Sequence, residues 1–132
     1  MYRDDETRLI ILVVEDVAET RDGIEKLLTT DGYRTTLARD ERDAIESARR
    51  KRPDLILVSL AGLTSEVIVT ARRIRERAGV GNLVPVVIFC VESIGEGDDV
   101  AIGQNVHVSH PDNFNQLRRL LTRLLHEVPV AA

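Results

Sequence analysis

The chain has 132 residues, 43% hydrophobic and 30% charged, with a formal net charge of −4. That length is enough to bury one core, and a single domain over 1–132 is expected, its folded part running from about residue 8 to 127. The acidic balance excludes a global basic field suited to nucleic acid. The longest apolar run, Leu9 to Val14, is far too short to span a membrane.

The lone cysteine, Cys90, rules out an intramolecular disulfide. The opening Met1-Tyr2-Arg3-Asp4-Asp5-Glu6 is too acidic for a secretion signal. Both suit a cytoplasmic location.

Apolar strand-like runs alternate with amphipathic helical stretches. Leu9–Val14 is continuous and β-branched, as in a strand buried on both faces. A helix is expected over Glu19–Thr30, with Ile24, Leu27 and Leu28 inward and Asp31-Gly32 as its stop. Tyr33–Ala38 alternates polar and apolar, which suits a strand near the sheet edge. Asp40 can cap a helix over Glu41–Lys51 that buries Ala44, Ile45 and Ala48.

Pro53 breaks that helix, and Asp54–Ser59 reads as the third strand. A third helix over Ser65–Ala78 turns Val67, Ile68, Ala71 and Ile74 inward. Val84–Val91 is the fourth strand, with Pro85 tolerated near its start. Ser93–Gly103 falls where a fourth helix is expected. Gly95, Gly97 and Gly103 each cost about 1 kcal/mol there relative to alanine, so it should be short or irregular. Val106–Ser109 is the fifth strand. Asp112 caps a last helix through Glu127, whose stripe includes Phe114, Leu117, Leu120, Leu121, Leu124 and Leu125.

Five strands alternating with five helices imply an α/β fold with a five-stranded parallel sheet covered on both faces. The expected strand order is 2-1-3-4-5, the flavodoxin-like doubly wound (βα)5 arrangement. Open sheets of this kind keep their chemistry at the carboxyl ends of the strands. Those ends carry Glu15-Asp16, Ser59, Cys90 and His110. The basic runs Arg49-Arg50-Lys51-Arg52 and Arg72-Arg73-Ile74-Arg75-Glu76-Arg77 read as solvated helix faces and helix-end charges.

In these positions the chain resembles the receiver domains of two-component response regulators, over about Arg8 to Glu127. Glu15-Asp16 matches their acidic pair. Pro53-Asp54-Leu55-Ile56-Leu57-Val58 matches their third strand, and Pro85-Val86-Val87-Ile88 their fourth. The resemblance implies a phospho-acceptor aspartate at position 59, where the chain has Ser59. It implies a hydroxyl at position 90, a lysine at 110 and an aromatic switch residue at 107, where the chain has Cys90, His110 and His107. The usual proline and glycine of the loop after the third strand are Leu63 and Val67. Only the acidic pair survives.

In such domains the acidic pair and the acceptor aspartate hold Mg²⁺, which offsets charge on the transferring phosphoryl group. A serine is a poor nucleophile without an adjacent base, and it removes one negative charge from the cation site. A degenerate, non-enzymatic and phosphorylation-independent receiver is therefore expected, acting by protein contact. No cofactor is expected, and Mg²⁺ only weakly, through Glu15 and Asp16. The partners implied are a histidine kinase, an output protein, or a second copy meeting it through the fourth helix, fifth strand and fifth helix. No nucleic-acid or membrane contact is expected.

Two alternatives stand beside this reading. One is a conventional or atypical phospho-receiver. The other is a metal-sensing or pH-sensing domain. Carboxylate, Cys90 and His110 are zinc-compatible ligand types without diagnostic spacing, and two carboxylates beside His110 would favour its protonated form. The plainer account of Cys90 and His110 is packing and ordinary hydrogen bonding. A flavodoxin-like cofactor binder or enzyme is a further reading; against it, the loop Glu15-Asp16-Val17-Ala18-Glu19 lacks glycine and would repel a phosphate.

Overall fold

A computed structural model describes residues 8–89, 95, 97–110 and 113–126. Six strands and four helices follow in the order β1 (Ile10–Glu15), α1 (Ala18–Thr30), β2 (Arg34–Ala38), α2 (Glu41–Arg50), β3 (Leu55–Ser59), α3 (Thr64–Ala78), β4 (Val86–Phe89), β5 (Asp99–Ala101), β6 (Val106–Ser109) and α4 (Phe114–His126). The sheet order is β2-β1-β3-β4-β6-β5. Every pairing is parallel except that of β5 with β6.

The central strands are apolar throughout because both faces are covered. Alternation divides them between two cores. Leu12, Val14, Ile56, Val58, Val86 and Ile88 pack beneath Ala44 and Ala48 of α2 and Ala71 and Ile74 of α3. Ile11, Val13, Leu55, Leu57 and Val87 pack against Leu28 of α1 and Leu117, Leu120 and Leu121 of α4. Leu27, expected inward, is 41% exposed. Leu28, expected inward with it, is fully buried.

Local chemistry fixes the helix ends. Asp40 caps α2 by accepting from the Asp43 N–H at 2.8 Å, and Asp43 accepts in return from the Arg39 N–H. Gly79 closes α3 in the left-handed region, at φ 72°. Asp112 lies outside the described residues. The cap near the start of α4 is made by Asn113, whose Oδ1 accepts from the Gln116 N–H at 3.1 Å.

The larger departure is in the fourth helix. Where a fourth helix was expected over Ser93–Gly103, the described part contains strand β5 instead, so the sheet has six strands rather than five. The local reason is the turn that follows. Gln104 and Asn105 both have positive φ, 54° and 61°, after Gly103 at 102°. The Val106 N–H donates to the Gly103 carbonyl at 3.1 Å. Two successive left-handed residues match the turn that joins tightly paired antiparallel strands. Three glycines disfavour the helix, and the hairpin satisfies the backbone. The contact face expected from fourth helix, fifth strand and fifth helix therefore presents β5, β6 and α4.

Candidate functional site

The carboxyl ends of β1 and β3 are neighbours, and their register sets Glu15 opposite Ser59. Glu15 is 4% exposed, the deepest carboxylate of the pair, while Asp16 is exposed. The Ser59 hydroxyl donates to Glu15 Oε1 at 2.9 Å. The Val17 N–H donates to Glu15 Oε2 at 3.1 Å. The Arg21 guanidinium donates to the Glu15 carbonyl at 2.8 Å and anchors the first turn of α1 over the strand end.

Burial is the main force on the Glu15 carboxyl and pushes its pKa above the ordinary 4.5, with neighbouring Asp16 acting in the same direction. The hydrogen bonds from Val17 and Ser59 pull the other way and only partly offset it. Ser59 is thus held by an acceptor that resists ionisation. Even raised, a carboxyl group is a weak base for an aliphatic alcohol. The arrangement orients and satisfies the hydroxyl rather than activating it.

His110 follows β6 on the same sheet edge, two strand positions from Ser59. Its backbone is clamped to the lead-in of β5: its N–H donates to the Asp98 carbonyl at 2.9 Å and its carbonyl accepts from the Gly97 N–H at 2.7 Å. His107 lies within β6, opposite Val87 and Ala101, half-buried, with Nε2 3.0 Å from Asn105 Oδ1. Burial, then the Arg123 charge, lowers its pKa from the ordinary 6.5, against a smaller opposing pull from Asp99. Cys90 lies outside the described residues. The structure therefore brings Glu15 and Ser59 into direct contact and sets His107 and His110 in the β5–β6 hairpin, on the far side of β4. Sequence reasoning did not foresee Val17 or Arg21 as partners of Glu15. The only available sign was their place at the start of α1.

Mg²⁺ keeps several of its waters and takes only one or two carboxylates from a protein. The strand ends offer two carboxylates and a hydroxyl, and both Glu15 oxygens are already engaged by Ser59 and Val17. With a neutral hydroxyl at position 59, this donor set carries one negative charge fewer than three carboxylates would. Among the described residues no group of three or more His, Cys, Asp or Glu side chains is placed to hold a metal. Among the same residues, no helix is long and apolar enough to cross a membrane.

A parallel sheet ordered 2-1-3-4 from its edge, two helices on each face and an acidic pair at the end of the first strand define the CheY-like receiver fold. Comparison with known proteins agrees. The chain is 33% identical over 130 residues to the sensor histidine kinase AruS of Pseudomonas aeruginosa; the match takes in 94% of the chain but only 13% of that kinase's length. The receiver domain of the P. aeruginosa sensor histidine kinase PA1611, solved with magnesium coordinated in its active-site cleft, is 28% identical. It superposes with a TM-score of 0.67 over 92% of this chain and 100% of that one. The response regulator TrrA of Thermotoga maritima, solved with Mg²⁺-BeF, is 20% identical with a TM-score of 0.66 over 89% and 99%. No protein-family model matches the chain.

Proposed function

We propose that this chain is a receiver-like module of two-component signalling that does no phosphoryl chemistry of its own and works by binding a protein. The observation that carries this reading is the 2.9 Å hydrogen bond from Ser59 to buried Glu15. A hydroxyl replaces the acceptor carboxylate, and it is committed to the one acidic partner that remains buried. Glu15 and Asp16 are the remains of a cation site, while His110 and His107 replace the phosphate-binding lysine and the aromatic reporter implied by the resemblance. Both replacements are imidazoles: His110 stands where a lysine carries its ammonium on a long flexible stem, and the His107 ring is half-buried and tied to Asn105 at 3.0 Å. Cys90 takes the hydroxyl's place.

The partner under this reading is a histidine kinase or an output protein in the cytoplasm. Recognition depends on the shape of the receiver scaffold rather than on a phosphorylated state. The test is an amide NMR spectrum recorded with Mg²⁺ alone and with Mg²⁺ plus beryllofluoride. The spectrum should be unchanged at Glu15, Asp16, Ser59 and His107. Saturable shifts spreading from Ser59 to β6 would overturn the proposal.

A further inference from the structure

Strand β5 ends the sheet, and among the described residues nothing pairs with its outer side. Its hydrogen bonds to β6 fall on alternate residues. Asp98 accepts from the His110 N–H, and the Ile102 N–H donates to the Val106 carbonyl. In an antiparallel ladder this parity turns the amide and carbonyl groups of Asp99 and Ala101 outward. Val100 between them is 43% exposed. β5 is a short edge of three residues with one charged side chain, Asp99, which Arg123 holds, and it carries no proline or lysine.

Beside this edge a groove of about 630 Å³ runs between β5 and α4, lined by Gly97, Asp99, Gln116, Arg119, Thr122 and Arg123. Its charges are unevenly used. Arg123 is bound to Asp99 at 3.0 Å. Arg118 is bound to Asp31 at 2.7 Å and stacks on Phe114. Arg119 is exposed and has no partner among the described residues. A strand added to β5 would project alternate side chains over this groove toward Arg119.

We infer that β5 is a docking edge for an extended acidic peptide segment of a partner protein, held by backbone hydrogen bonds to Asp99 and Ala101 and by a carboxylate on Arg119. Backbone pairing supplies affinity in this mode and alternate side chains supply specificity. A second copy of the chain fits less well, because edge-to-edge pairing would bring two arginine-lined α4 faces together. The inference deepens the proposed function by naming a partner chemistry, and it rests on that reading only in that the chain acts by protein contact.

The test uses the full chain with two blocked peptides, one alternating glutamate and valine, the other lysine and valine, followed by amide NMR and fluorescence anisotropy. The glutamate peptide should bind and shift Asp99, Val100 and Ala101. Arg119→Glu should weaken it on the order of tenfold, the loss of one charge-assisted contact. Ala101→Pro, which removes an outward N–H, should weaken it similarly. Equal binding of both peptides, indifference to Arg119→Glu, or shifts confined to other surfaces would overturn the inference. So would concentration-dependent dimerisation through β5 without peptide. None of these outcomes bears on whether Ser59 accepts phosphate, so the two proposals fail separately.

Discussion

Ser59 and Glu15 sit opposite each other in the β1–β3 register and are joined by a 2.9 Å hydrogen bond from hydroxyl to carboxylate. That bond turns a strand-end pocket inward. The hydroxyl helps satisfy a carboxylate that the fold has largely withdrawn from water. Ser59→Ala should therefore cost about 1 kcal/mol, the usual net value of such a bond. Urea denaturation at neutral pH measures it, and an unchanged midpoint would show that the bond contributes nothing.

Ser59→Asp places a second carboxylate against Glu15. Like charges at this distance disfavour joint ionisation, so the variant should be less stable than the wild type in metal-free buffer. It also restores the missing oxygen ligands. Millimolar Mg²⁺ should raise the thermal midpoint of Ser59→Asp and leave that of the wild type unmoved, as read by calorimetry with and without chelator.

The raised pKa of Glu15 has a definite pH signature. The folded chain holds this proton to higher pH than the unfolded chain does. Its stabilising contribution is complete below the ordinary value of 4.5 and is lost as pH rises through the folded value. Glu15→Gln removes that dependence. The stability of Glu15→Gln relative to wild type should climb as pH rises from about 4.5 and then level off. Denaturation midpoints of both proteins across the acidic range provide the measurement.

His107 behaves in the opposite sense. Its folded pKa lies below the ordinary 6.5, so the folded state binds its proton less readily than the unfolded state. The associated stability is present above 6.5 and is lost as pH falls below it. An NMR titration should give a midpoint under 6.5. Arg123→Gln should raise that midpoint by removing a like charge, and Asp99→Asn should lower it further.

Much of this architecture is legible in the amino-acid order because the strong signals are local. Ile10–Val14 and Leu55–Val58 are apolar on both faces, which only a doubly covered strand requires. Asp40 and Gly79 mark helix ends by their own side-chain and backbone chemistry. What was misread lies where local signals conflict. Asp99–Ala101 is too short to show a strand period, and its glycine-rich surroundings argue against helix without arguing for sheet. The Gly103-Gln104-Asn105 turn was the missed sign.

At the site, Ser59 and the acidic pair were visible as residues, but their contact was not. Parallel register is set by packing between distant segments, and only the pairing of β1 with β3 puts Ser59 on Glu15 rather than on Asp16. The partners Val17 and Arg21 enter for the same reason: they belong to the helix start that closes over that strand end. Cys90 falls outside the described residues, and its part in the site stays as proposed from the sequence.

The central claim is that Ser59 does not accept phosphate. Intact-mass spectrometry after incubation with acetyl phosphate and Mg²⁺ tests it most directly, with Ser59→Asp alongside as the variant that restores an acceptor carboxylate. The account predicts an unmodified wild-type mass under conditions in which Ser59→Asp gains one phosphoryl group. A stable phosphoryl adduct on the wild type, localised by fragmentation to Ser59, would contradict it.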